Sequence, residues 1–101
     1  MDEPGADGAL DTIELPPGLS LTRTTPEFTV ENVPAGLLGA HRVADDVWGV
    51  LRVLAGTVVF VLEDSGARRL LTSDDAQVIA PGVLHHVEPS DDARFVVEFH
   101  R

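Results

Sequence analysis

The sequence predicts a small all-β domain, and three observations point there. Short runs rich in β-branched and aromatic residues recur along the chain, separated by Gly, Pro, Asn or Asp turn signals. No segment carries a 3.6-residue apolar period over three turns, so no long helix is expected. At 101 residues the chain is the size of one domain, with 44% hydrophobic and 24% charged residues, an ordinary globular balance. Seven or eight short strands at this spacing indicate a sandwich or a barrel.

Taken in order, residues 1 to 16 carry Asp2, Glu3, Asp7, Asp11 and Glu14 among small residues and close on Pro16-Pro17-Gly18. This is expected to be a poorly ordered acidic tail, with the domain spanning 17 to 101. Thr24 to Val30 reads as an edge segment, because Pro26 removes one ladder donor. Gly36 to Val43 is predicted as a strand carrying His41. Val47 to Ala55 and Thr57 to Glu63 are stronger strands divided by Gly56, and Asp64-Ser65-Gly66 turns the chain into Ala67 to Thr72. Asp74-Asp75 leads into Ala76 to Ala80, a Pro81-Gly82 turn leads into Leu84 to Glu88, and Ser90-Asp91-Asp92 leads into Arg94 to His100.

Composition also bounds function. Net charge is −10, from 17 acidic and 7 basic side chains, a field that repels a phosphate backbone and argues against nucleic acid as a partner. No apolar run approaches the ~20 residues of a membrane helix, and the polar, acidic start lacks a signal-peptide pattern. With no cysteine there are no disulfides or thiolate ligands, which fits a cytoplasmic protein. A metal would have to be held by imidazole and carboxylate.

Strand parity sorts the candidate residues. Successive side chains point to opposite faces, so His85 shares a face with Val83 and Val87, and His86 shares the other with Leu84 and Glu88. His85 is expected to point into an apolar interior, as a metal ligand or as a core histidine bonded to backbone. His41 shares its face with Leu37, Gly39 and Val43, opposite Arg42. Glu98 presents a conflict. Phe95, Val97 and Phe99 make the more apolar face of the last strand, while Glu98 lies with Arg94, Val96 and His100. The residues alone favour a solvent-facing Glu98 in a salt bridge, the alternative being a carboxylate inside a barrel, costly unless paired with a cation. His86 and His100 read as surface residues. Trp48, the only tryptophan, belongs either at a pocket mouth or in the core, and with Val87 it is the expected pocket lining.

Pro81-Gly82-Val83-Leu84-His85-His86-Val87 is similar to the second sequence motif of cupins, in which a Pro-Gly turn presents a metal-binding histidine. Val50 to Val58 resembles the end of the first motif, with Gly56 as its closing glycine. Common cupins carry a glutamate seven residues before that glycine, where this chain has Gly49, so a three-His-one-Glu site is excluded. A closer resemblance is to the small cupin-like family found alone in bacteria and at the N-terminus of some tellurite-resistance methyltransferases. It is carried by Leu15-Pro16, Thr24 to Phe28, Val33 to Leu38, His41 with Trp48, Leu51 to Gly56, Pro81 to Val87, and Val97-Glu98-Phe99.

That resemblance implies a cupin-like β-barrel (double-stranded β-helix, or jelly roll) with a divalent metal held near its centre by His41, His85 and Glu98. Zinc would be the metal most readily recovered, with iron, manganese or nickel also accepted by two imidazoles and a carboxylate. The expected protein is a homodimer acting as a binding or stress-response module for a small anionic or oxygen-bearing ligand. The alternatives are a metal-dependent dioxygenase or isomerase and a metal-free dimeric binding module. Methyltransferase activity is not expected of these 101 residues.

Overall fold

The protein is described from a computed structural model covering residues 10–39 and 42–101. Seven strands occur among the described residues: β1 (Leu21–Thr24), β2 (Trp48–Ala55), β3 (Val58–Leu62), β4 (Arg68–Leu71), β5 (Ala76–Ile79), β6 (His85–Pro89) and β7 (Arg94–His100). They form two antiparallel sheets, one of four strands in the order β1-β7-β2-β5 and one of three in the order β4-β3-β6. The expectation of a small all-β architecture is met. The expected barrel is not closed by strand pairing among the described residues. What stands instead is two open sheets, whose inward residues meet in one core.

Alternation builds that core. Leu51 and Val53 of β2, Phe95 and Val97 of β7, and Ile79 of β5 face Phe60 and Val58 of β3, Leu71 of β4 and Val87 of β6, all buried. Each such side chain contributes roughly 1.5–3 kcal/mol on leaving water. The pairing of β2 with β7 runs from Trp48↔His100 to Ala55↔Arg94, with a register shift between Val53 and Ala55. Gly56 follows at φ +66, where a Cβ would stand 2.8 Å from both N and Cα of Ala93. Only glycine takes this left-handed corner so close to another backbone. Gly82 at φ +73 turns the chain after Pro81, and its N–H donates to the Val43 carbonyl at 3.0 Å.

One expectation is corrected. The strand predicted over Gly36 to Val43 is absent from its described residues; Ala35–Leu38 form a 3-10 turn, in which the Leu37 N–H donates to the Pro34 carbonyl at 2.9 Å. Pro34 fixes φ at −59°, and Ala35-Gly36-Leu37-Leu38 has none of the β-branched residues that favour a pleated strand. His41 lies outside the described residues. Of the segment expected as an acidic tail, residues 10 to 16 are described, and its first described residue packs into the domain. Leu10 is 1% exposed in the core, and its carbonyl accepts a hydrogen bond from Gln77 Nε2 at 2.9 Å. No helix among the described residues is long and apolar enough to cross a membrane.

Candidate functional site

The 3-10 turn packs against β6, and between them and the four-stranded sheet lies a cavity of about 210 Å³. Its walls are Phe28, Leu37, Leu51, Ile79, Val87 and Val97, with Phe99 at one side. An engineered apolar cavity of about 150 Å³ holds a benzene ring, so this space suits a small ring or a short branched chain. Three polar residues reach its lining: Arg23, Thr25 and His85. The Thr25 hydroxyl is already engaged, donating to the Pro26 carbonyl at 2.9 Å and accepting from the Val97 N–H at 3.0 Å.

His85 is 2% exposed, on the inward face with Val87. Because a carbonyl can only accept, the 3.1 Å contact to the Val83 oxygen makes Nδ1 the protonated nitrogen. The ring also stacks on Phe60, with centroids 5.2 Å apart and planes at 29°. The Pro-Gly turn therefore fixes both the direction and the tautomer of this imidazole, which is the orientation a metal-binding or ligand-binding histidine uses.

Glu98 is not brought to that cavity. It lies on the outer face of β7, opposite Val97 and Phe99, with its side chain 20% exposed. Arg52 Nε donates to one carboxylate oxygen at 2.8 Å, and His100 Nε2 reaches the other at 3.4 Å. Burial alone would raise its pKa, but the Arg52 hydrogen bond, then His100, outweigh it and hold the carboxyl below its ordinary value. Trp48 is half-buried at the start of β2 and lines no wall of the cavity, whereas Val87 does. Of the expected ligands, His85 alone is described facing the cavity, and no group of three or more His, Asp or Glu positioned to hold a metal ion occurs among the described residues.

Sequence reasoning passed over two arrangements. His86, read as a simple surface residue, is clamped on the outer face of β6. Nδ1 is in hydrogen-bond contact with the Glu63 carboxylate, and Nε2 lies 2.8 Å from a Glu88 carboxylate oxygen. The Glu88 bond raises the imidazole pKa most; burial opposes it, and Glu63 adds to the rise. Glu88 in turn is held low, first by Arg68 and then by His86. Parity could have placed His86 and Glu88 together, but not Glu63, which arrives from the end of β3. The other arrangement is Arg23 over the Phe99 ring, its guanidinium carbon 5.2 Å from the centroid. Only the pairing of β1 with β7 creates it.

The model of the TehB-like domain matches residues 23–97, the greater part of the chain. The chain belongs to the TehB-like domain family. Among solved structures it is similar to a protein of E. coli (strain K12), with 23% identity over 89% of this chain and 97% of that one, at a TM-score of 0.83. TehB from Haemophilus influenzae is 28% identical over 81% of this chain at a TM-score of 0.74, and the match spans only 31% of that longer protein. KdgF from Halomonas sp. shares the fold at a TM-score of 0.55, with 20% identity over 87% of this chain and 84% of that one. No curated protein matches.

Proposed function

We propose that this TehB-like domain is a cupin-type binding module that encloses a small, largely apolar molecule in the cavity beside His85. The observation that carries the reading is the cavity itself: about 210 Å³, walled by Leu51, Val87, Val97 and Phe28, with one buried, oriented imidazole among few polar groups. Concave, mostly apolar sites with a small number of placed polar atoms are the usual form of small-molecule sites. No carboxylate lines the cavity among the described residues, so a proton-transfer reaction would rest on His85 alone. This favours binding over catalysis.

A titration of ¹⁵N-labelled protein with neutral fragments such as benzyl alcohol and cyclohexanol tests the reading. Shifts should concentrate on Leu51, Val87 and Val97, and Leu37→Trp, which fills the cavity from the 3-10 turn, should weaken them. Fragments that bind only elsewhere, or bind Leu37→Trp as well as the parent protein, would overturn it.

A second reading is favoured by the buried, inward placement of His85 straight after the Pro-Gly turn. In it a divalent metal is held by His85 and His41. The described donors do not complete a three-ligand site, because Glu98 is turned to the other face. Elemental analysis of chelator-free protein beside His85→Ala decides this: near-stoichiometric metal lost in the variant supports it, and none in either removes it.

A further inference from the structure

A second groove, of about 320 Å³, adjoins the cavity and shares Arg23, Val43 and Phe99 with it. Its lining is completed by Thr22, Arg42, Ala44, Val47 and Arg101, so three of the chain's seven arginines meet there. The chain has no lysine and 17 acidic residues, yet no acid lines this groove among the described residues. With acids in such excess, an arginine is expected to sit on a carboxylate. Arg52 does so with Glu98, Arg68 with Glu88, Arg94 with Glu27 and Arg101 with Asp46. Arg69 instead donates to the Ala76 carbonyl and Gln77. Arg23 and Arg42 have no carboxylate within ion-pair distance among the described residues, and both face this groove.

The surroundings hold the groove in shape. The β1 backbone is laddered to β7, and the Thr22 hydroxyl donates to the Phe99 carbonyl at 3.1 Å. Ser20 and Arg101 exchange backbone hydrogen bonds of 3.2 and 3.1 Å. Phe99 supports the Arg23 guanidinium from below. A stacked guanidinium keeps its fork of N–H donors directed outward, which suits a planar carboxylate.

We propose that this groove is the carboxylate-binding half of the ligand site. The ligand is then a small organic acid: its apolar body enters the cavity beside His85, and its carboxylate meets Arg23 and Arg42. The inference rests on the binding reading above and adds the chemical class of the ligand. For a protein whose net field repels anions, a local cluster of cations is what an anion site requires.

The test compares acids with their neutral counterparts: phenylacetate against 2-phenylethanol, and hexanoate against 1-hexanol. Each is titrated at low salt into ¹⁵N-labelled parent protein, Arg23→Gln, Arg42→Gln and Leu37→Trp. The acids should bind the parent more tightly than the alcohols. Arg23→Gln should weaken the acids about tenfold or more, the worth of one charge-assisted hydrogen bond, and leave the alcohols unchanged. Leu37→Trp should weaken acids and alcohols alike. Equal affinity of acid and alcohol in the parent, or unchanged acid affinity in both arginine variants, would overturn the carboxylate role while leaving the cavity reading standing. Acids that bind Leu37→Trp undiminished and are displaced by inorganic phosphate would reduce the groove to a plain anion patch, which also overturns the proposal. Failure of every probe to bind folded parent protein would remove the cavity reading itself.

Discussion

Replacing Gln77 with alanine tests whether the N-terminal segment is an integral part of the domain. The Gln77 side chain is 0% exposed and makes three hydrogen bonds: Nε2 donates to the carbonyls of Leu10 and Val78, both at 2.9 Å, and Oε1 accepts from Arg69 Nη1 at 3.0 Å. A neutral hydrogen bond contributes about 0.5–1.5 kcal/mol net, and one to a charged group somewhat more. The emptied volume adds a packing loss, so Gln77→Ala should cost about 2–5 kcal/mol, a large share of the stability of a domain this size. The loss should be uneven in space. Leu10 is held over the core partly by this bond, so the amides of residues 10 to 13 should exchange with solvent before the strands do. Gln77→Leu fills the volume but makes none of the three bonds, and should recover only the packing part. Urea unfolding followed by circular dichroism gives the global cost, and native-state hydrogen exchange the local one. A cost under about 0.5 kcal/mol, with exchange at residues 10 to 13 unaltered, would refute the reasoning.

Two further predictions concern the turns. Gly56→Ala should cost about 3 kcal/mol or more, because a Cβ there meets Ala93 N and Cα at 2.8 Å in addition to the left-handed strain; Gly66→Ala, at φ +74 with nothing within 4 Å, should cost only about 1–2 kcal/mol. Equal thermal destabilisation of the two variants would show that the backbone collision is relieved cheaply. Asp75 accepts hydrogen bonds from the N–H and hydroxyl of Thr72 at 2.8 and 3.0 Å, and the first of these chiefly lowers its pKa. A carboxyl lowered on folding stabilises fully above its unfolded pKa of about 3.9 and loses that contribution as pH falls through the folded value. The stability difference between the parent and Asp75→Asn should therefore be constant at neutral pH and shrink in acid. Urea midpoints that keep the same separation through the acid range would contradict it.

The strands were legible where alternation and turn chemistry agree. Arg94 to His100 alternates cleanly between Asp92 and the end of the sequence, and β7 spans those residues. Asp64-Ser65-Gly66 and Pro81-Gly82 marked reversals that glycines at φ +74 and +73 carry out. Gly36 to Val43 misled because Leu37, Leu38 and Val43 supply hydrophobicity without β-branched continuity, and Pro34 imposes a turn at their start. Docking of Leu10 was illegible for another reason. It depends on Gln77, 67 residues away, whose polar side chain gives no sign of being buried. Arg23 was passed over likewise, since its partner Phe99 lies at the opposite end of the chain.

The facing of β7 decides what chemistry the cavity can host. Parity makes Glu98 and the set Phe95, Val97 and Phe99 mutually exclusive occupants of the interior. Turning Glu98 inward means slipping β7 by one residue, which sends every side chain of that strand to the other face. Phe95 at 0% and Val97 at 6% exposure would then meet water, a loss of roughly 1.5–3 kcal/mol each. The incoming carboxylate would need a compensating cation to avoid a penalty of several kcal/mol. What the strand would give up on the outside is small, because a solvent-edge pair such as Arg52–Glu98, with the arginine half-exposed, contributes about 0–1 kcal/mol. The apolar residues therefore set the orientation and the carboxylate follows. The same choice brings Phe99 to the cavity rim under Arg23, so the register that withholds a carboxylate from His85 also sets the guanidinium beside it.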